Sequence, residues 1–425
     1  MKEKTDPHDE LLPNLFRSEY ARITAVISRC FSLEHFETAE DIASETFLKA
    51  AEVWSVNGVP ENPRAWLYTV AKNKAKDYLK RVSIFEMKVK GEIELEESYR
   101  TESLSQSERD IVFTEQAIAD SQLAMIFAVC NPANSTEAQI SLALQILCGF
   151  SIEQIANAFL AKTETIKKRL LRARTNLRND NFRIDVLKED AVQSRVDVVL
   201  RTLYLLFNEG YSSQSGNRLI SKDLCLEAIR LTLVLTDNPL TNTPEVNALL
   251  ALMCYQASRL DARTDDTGQM ILFEQQDRSL WNQEFIDKGI YYLVNACSGN
   301  EISKYHLEAA IAYWHTTPAD NDKWEHILQL YNQLIITEYS PATALNRTFA
   351  LAKVCGNERG IREAELVALY GNHYYHALLG YLYADIDVDK SIAHYEEAIS
   401  STRSMAEKKN LAKELERLTR VKTGS

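Results

Sequence analysis

The chain has 425 residues, room for two to four domains at roughly 100–200 residues each. Hydrophobic residues make up 45% and charged residues 25%, with only 13 Gly and 9 Pro, a soluble composition that argues against an all-β or loop-rich architecture. A net charge of -12 excludes a protein that coats nucleic acid indiscriminately, but leaves room for local basic surfaces.

Leu, Ala, Glu and Lys dominate, so the predicted fold is all-α. No apolar run reaches the roughly 18 residues of a membrane span. The charged segment Met1 to Glu10 has no signal-peptide core, so the expected place is the cytoplasm, with no membrane partner. Cys30, Cys130, Cys148, Cys225, Cys254, Cys297 and Cys355 are scattered and never spaced as CxxC. They read as buried thiols rather than a disulfide framework or a zinc site.

Residues 11–82 read as a first helical block, with Leu15, Tyr20, Ile23, Val26 and Ile27 at helical spacing. A second helix is expected from about Ala39 to Trp54, followed by a loop to Asn62. Asn62-Pro63 then gives a capping residue before a proline at the first helical position, opening a helix to about Arg81. Lys72, Lys76 and Lys80 lie four apart on one stripe of that helix, flanked by Lys74 and Arg81. Trp66, Tyr68 and Tyr78 are interleaved, a mixture suited to a strand with unstacked bases. Residues 83–115 are crowded with glutamate and read as an acidic linker.

Residues 116–180 form a second helical block with the sharpest signal in the chain. Ser151 and Gln154 make a capping box, and Ile152, Ile155, Ala156 and Phe159 form one apolar face. After the turn Leu160-Ala161-Lys162, Thr163 is expected to cap a second helix whose buried stripe is Ile166, Leu170, Ala173 and Leu177. This is the pattern of a helix-turn-helix. Lys167, Lys168, Arg169, Arg172, Arg174 and Arg178 are expected on its outer side. From Lys162 to Arg178 there are seven basic residues and one acid, Glu164, a reversal of the chain's overall charge that phosphate neutralisation requires. Thr163, Glu164, Thr165, Lys167, Lys168, Arg169 and Arg172 are the candidate duplex-reading residues.

Residues 182–425 alternate amphipathic helices with short turns at Gly210, Pro244, Gly268, Pro318, Pro341, Gly356 and Gly371, among others, and predict packed helical hairpins. Leu379-Gly380-x-x-Tyr383 and Ala393-x-Tyr395-x-x-Ala398 resemble a tetratricopeptide repeat, about one residue short. The aromatic residues of this part, Trp281, Tyr291, Tyr292, Tyr305, Trp314, Trp324 and Tyr331, read as helical core, with a concave partner-binding face favoured over an active site. His373 and His376 read as packing residues rather than a metal site, and Asp265-Asp266 as a turn. There is no GxxxxGK[ST], GxGxxG, HExxH or GxSxG signature, so no catalytic residue, cofactor or metal is expected.

The segments Ala39-Glu-Asp-Ile-Ala-Ser-Glu-Thr-Phe-Leu-Lys49 and Asn62-Pro-Arg-Ala-Trp-Leu-Tyr-Thr-Val-Ala-Lys-Asn-Lys-Ala-Lys-Asp-Tyr-Leu-Lys-Arg81 resemble region 2 of bacterial sigma factors of the extracytoplasmic-function subfamily. The helix-turn-helix resembles their region 4, and region 3 is missing, as in that subfamily. The resemblance covers about residues 11–180. It implies a transcription initiation factor whose partners are core RNA polymerase, at its β′ clamp and β flap, double-stranded promoter DNA and the melted -10 strand. On that basis Asp41, Glu45, Thr46 and Phe47 are expected to bind polymerase. Asn62, Arg64, Lys72, Asn73, Lys76, Lys80 and Arg81 would contact the -10 element, and the helix-turn-helix would read the -35 element. About 245 residues follow region 4 where members usually stop. Tyr204-Leu-Leu-Phe-Asn-Glu-Gly-Tyr211, Asp277-Arg278-x-x-Trp281 and Ala344-Leu-Asn-Arg347 resemble the subgroup with a long tetratricopeptide-like extension. There the extension is expected to modulate activity and to take a regulatory protein. The competing reading is a helix-turn-helix regulator with a fused helical sensor, acting without polymerase.

Overall fold

The computed structural model describes residues 7–31, 35–90, 111–159, 161–179, 188–212, 218–264, 271, 273–317, 322–402 and 405–424. Among them lie eighteen α-helices, a π turn and three short 3-10 turns, with no extended strand. The all-α expectation holds. None of these helices is long and apolar enough to cross a membrane. The chain divides into two compact units, residues 1–206 with 233–241, and residues 207–232 with 242–425.

In the first unit, α1 (Pro7–Phe31) packs on α2 (Phe36–Asn57) and α3 (Pro63–Lys90). On α2 the buried residues Phe36, Ala39, Ile42, Ala43, Thr46, Phe47, Ala50 and Trp54 recur three or four apart, so one face is continuously covered. The helix stops where Gly58 takes φ 78° and its N–H donates to the Trp54 carbonyl. Asn62 opens α3 as expected, its Oδ1 accepting from Ala65 N–H at 3.0 Å. The helix then runs past Arg81 to Lys90, so the first residues of the expected linker are helical. Residues 91–110 of that linker lie outside the described residues.

Thr114 caps α4 (Glu115–Val129), which is buried almost throughout its length. α5 (Thr136–Leu142) runs directly into the π turn Ala143–Leu147, and Gly149 at φ 70° redirects the chain. α6 (Ile152–Ala158), α7 (Thr163–Arg178) and α8 (Glu189–Ser212) follow. Blocks 11–82 and 116–180, expected as separate domains, share this unit, because α4 lies on α1 and sends Ile118 into the core of Ile23, Ile27, Ile42, Phe47 and Leu67. The division between units falls after Leu206, within α8, not near residue 182.

The second unit is built from α9 (Arg218–Thr236), whose last four residues belong to the first unit, and from α10 (Pro244–Ala257), α11 (Gln283–Ala296), α12 (Lys304–Thr316), α13 (Lys323–Thr337), α14 (Pro341–Cys355), α15 (Asn357–Val367), α16 (His373–Tyr383), α17 (Val388–Ser401) and α18 (Met405–Gly424). Neighbours in sequence pack together from α10 to α18, as hairpins do. α10 is the hub, buried from Val246 to Tyr255 and packed on both α11 and α12. Pro244 and Pro341 sit at helix starts, after the capping hydroxyls of Thr243 and Ser340. Two glycines permit close approach: a Cβ at Gly289 would stand 2.7 Å from the Tyr255 ring, and one at Gly380 2.9 Å from the Tyr395 ring.

Candidate nucleic-acid interface

The two-helix element of α6 and α7 forms locally. The Ser151 Oγ accepts from Gln154 N–H at 3.2 Å, and the Gln154 Oε1 accepts from Ser151 N–H at 2.8 Å, so the capping box is closed. The expected buried stripe of α7, Ile166, Leu170, Ala173 and Leu177, is the buried set observed. Its cap differs. Lys162 occupies the capping position with no side-chain bond, and Thr163 is already the first helical residue. The carbonyl of Lys162 carries the start, accepting from Thr165 N–H and Ile166 N–H. Phe159 ends α6, and Leu160 lies outside the described residues.

Glu164, Thr165, Lys167, Lys168 and Arg172 stand exposed on the outer side of α7, with Thr163 half-buried beside them. Leu171 joins this surface at 64% exposure, an apolar side chain among the cations. Two expected members do not belong to it. Arg169 is half-buried with its guanidinium 5.5 Å over the Phe159 ring, held back against the turn. Arg174, expected on the outer side, is largely buried. Its Nη1 donates to Glu40 Oε2 at 2.5 Å, and its Nη2 to Glu40 Oε1 at 2.9 Å and to Gln145 Oε1 at 3.0 Å. The Arg174 guanidinium also lies 5.5 Å over the Phe36 ring, and Arg178 reaches Glu37 at 3.8 Å. Burial opposes the charge of Arg174, but its bonds to Glu40 hold its pKa above the ordinary value. Burial pushes the Glu40 carboxyl up, partly offset by Arg174. Neither this pairing nor the part played by the π turn, which supplies Gln145, was legible in the sequence.

On α2, Asp41, Glu45, Leu48 and Lys49 are exposed. Thr46 and Phe47, expected as contact residues, face inward: the Thr46 hydroxyl donates to the Ile42 carbonyl at 2.7 Å, and Phe47 packs edge-on against Phe16. Leu48, 64% exposed, supplies the apolar part of this surface instead. Glu45 accepts from Lys74 of α3 at 2.6 Å.

On α3, Asn73, Lys76, Lys80 and Arg81 are exposed and Lys72 is half-buried. Asn62 is exposed but serves as the helix cap. Arg64 lies 3.1 Å from Glu19, a fully buried carboxylate that also accepts a hydrogen bond from the Tyr68 hydroxyl and sits 3.8 Å from Arg22. Glu19 escaped the sequence reading because a lone glutamate on α1 gives no periodic signal. The interleaved aromatics pack inward, which corrects their reading as a base-stacking platform. Trp66 meets Trp54 edge-on at 5.3 Å, Tyr68 stacks on Phe113 at 4.7 Å, and Tyr78 lies 5.3 Å from Phe31.

The sigma-70 region 2 family matches residues 15–83, the span of α1 to α3. The chain carries a sigma-70 region 2 domain. A domain of this family points to a part in promoter recognition and transcription initiation, with core RNA polymerase and promoter DNA as the partners it implies. A family of unknown function matches residues 195–297, from α8 to α11. Similarity extends beyond these segments: an uncharacterised protein of Rhizobium meliloti (strain 1021) is 34% identical over 355 residues, covering 81% of each chain. No solved structure matches.

Elsewhere, the Nδ1 atoms of His376 and His394 lie 3.1 Å apart, and His373 pairs with Glu407 at 3.1 Å. Among the described residues no group of three or more His, Cys, Asp and Glu is placed to hold a metal. Asp265 and Asp266 lie outside the described residues.

Proposed function

We propose that the chain is an extracytoplasmic-function sigma factor in which α6 and α7 read the -35 element, α3 engages the melted -10 strand, and the helical second unit modulates activity. One observation carries this reading. Lys167, Lys168 and Arg172 project from a helix whose opposite stripe is fully buried, in the same compact unit as the region 2 match. A rigid helix that exposes cations beside its N-terminal turn suits major-groove docking. On α3 the -10 contacts fall to Asn73, Lys76, Lys80 and Arg81, with Asn62 and Arg64 positioning that helix and Lys72 at its edge. On α2 the polymerase contacts fall to Asp41, Glu45 and Leu48.

The Arg174–Glu40 pair adds a condition. Elements named -10 and -35 are separated by about 25 base pairs, on the order of 80 Å along the duplex. α7 is bonded directly to α2, so both elements are read only after that bond opens. The free chain is thus a closed form, and polymerase and promoter draw it open. For the second unit, the succession of hairpins and the Gly380–Tyr395 contact favour a tetratricopeptide-like architecture and a protein or ligand input.

The test is transcription by core polymerase in vitro, with the full chain and with a variant carrying Asp41→Lys and Glu45→Lys. Promoter-dependent transcripts from the wild type, with at least tenfold weaker polymerase capture by the variant, are expected. DNA binding without any polymerase association would instead establish a free-standing regulator.

A further inference from the structure

The second unit holds a group of cations, Lys323 buried, Arg259 half-buried and Arg278 exposed, that no carboxylate among the described residues neutralises. Arg259 follows α10, and the chain between α10 and α11 brings Phe273, Arg278 and Trp281 to it through three 3-10 turns. The Arg259 guanidinium lies 4.9 Å over the Phe273 ring and 6.0 Å from the Trp281 ring centre. Arg278 lies 5.3 Å over the Trp281 ring. From α12, His315 meets Phe273 edge-on at 5.0 Å. Lys323 opens α13 and is only 7% exposed.

Such residues ordinarily have partners, because an unpaired buried charge or donor costs several kcal/mol. Here they do not. Arg259 Nε, Trp281 Nε1 and His315 Nδ1 are buried without a hydrogen-bond partner. Among the described residues no carboxylate pairs with Arg259, Arg278 or Lys323. Glu274, on the same segment, is committed to Lys353 at 3.0 Å, and Asp277 accepts from Ser279 N–H at 2.9 Å. The cations instead burden one another. Burial first, then Arg278, lowers the pKa of Lys323. Burial, then Arg259 and Lys323, lowers that of His315 to about 3. Among the described residues the surroundings supply donors and aromatic faces, and the nearby carboxylates of Glu274 and Asp277 are engaged elsewhere.

We propose that Arg259, Arg278, Lys323, His315 and Trp281 form a binding site for a small organic anion, a carboxylate or phosphate carried on a flat apolar body. The anion would neutralise Lys323 and the two guanidiniums and accept from Trp281 Nε1. The flat body would lie against Phe273 and Trp281. The setting of the cations among the aromatic rings of Phe273 and Trp281 favours a small molecule over a folded protein surface. The site lies wholly within the second unit, and its chemistry does not depend on the sigma assignment.

The experiment uses the full chain without polymerase or DNA. Benzoate, phenyl phosphate, inorganic phosphate and neutral benzyl alcohol are titrated while tryptophan fluorescence and the thermal midpoint are followed. Saturable binding of benzoate or phenyl phosphate is expected, with the midpoint raised by about 3 °C or more at 10 mM and no effect from benzyl alcohol. Lys323→Met should raise the midpoint of the unliganded chain and weaken binding at least tenfold, since it removes an unpaired buried charge. Arg278→Met, a change at an exposed residue, should leave the midpoint unchanged and weaken binding at least threefold. Three results overturn the proposal: no response to either aromatic anion, an equal response to benzyl alcohol, or unchanged binding by Arg278→Met together with a lowered midpoint for Lys323→Met. A response to inorganic phosphate alone would also overturn it, since the apolar body would then contribute nothing.

Discussion

Arg174→Met tests whether the closed form is set by the bond between α7 and α2. Both partners are shielded, with 15% and 14% of their side chains exposed, and the contact is bidentate at 2.5 and 2.9 Å, supported by Gln145. Removing one partner of a buried pair costs about 3–5 kcal/mol, and the residual solvent access here points to the lower end. Three kcal/mol is about 2.2 decades, or roughly 150-fold in the ratio of open to closed chains. If polymerase captures only the open form, the apparent affinity for core enzyme rises by the same factor until the open form dominates. Titration of core polymerase without DNA isolates this effect from any DNA contact by Arg174. An increase of at least tenfold is expected, with the charge-exchanged pair Glu40→Arg and Arg174→Glu returning towards the wild type. The pH dependence has a defined sign. Burial raises the Glu40 pKa, so a protonated Glu40 favours the closed form. The closed form of the variant therefore weakens as pH rises through that raised value, and the gain should be larger at pH 8 than at pH 5. An affinity unchanged within twofold, in a variant that circular dichroism shows to be folded, would refute the closed-form argument.

Replacing Lys168 and Arg172 by Glu should abolish promoter-directed transcription and leave polymerase binding intact. Removal of two phosphate contacts should also lower the slope of log affinity against log salt by about 1.8, and an unchanged slope would move the DNA surface elsewhere. Gly289→Ala should lower the thermal midpoint. The new Cβ meets the buried Tyr255 ring at 2.7 Å, and overpacking of about 1–3 kcal/mol exceeds the ~1 kcal/mol that alanine adds in a helix. A raised midpoint would contradict that close approach. His315 is held neutral by burial, with its pKa near 3 against an ordinary value of 6.5. A depressed base contributes stability that is complete above the unfolded value and is lost as pH falls towards the folded one. Denaturant unfolding should therefore show the wild type losing about 2 kcal/mol more than His315→Gln between pH 7 and pH 5, and equal losses would place His315 in water.

Much of the local structure was legible in the sequence. The buried stripe of α7, the capping box at Ser151, the cap at Asn62 and the proline starts at Pro244 and Pro341 depend on residues within one or two helical turns. Spacing records such relations directly. Orientation at the edges of a stripe was less legible. Thr46, Phe47, Arg169 and Arg174 lie beside positions that spacing places correctly, but a neighbouring helix decides which of them it covers.

What only the tertiary structure decided are the relations between distant residues. Glu40 and Arg174 are 134 residues apart and meet because α4 lies against α1 in a shared core. Arg259, Arg278 and Lys323 gather around the neutral His315 only when the chain after α10 folds back beside α12 and α13. The sequence by itself determined where helices form and which stripe each buries, since 3.6 residues per turn converts order into direction. It did not determine which charges are left without partners, because pairing depends on proximity across the fold, and no period in the sequence encodes it.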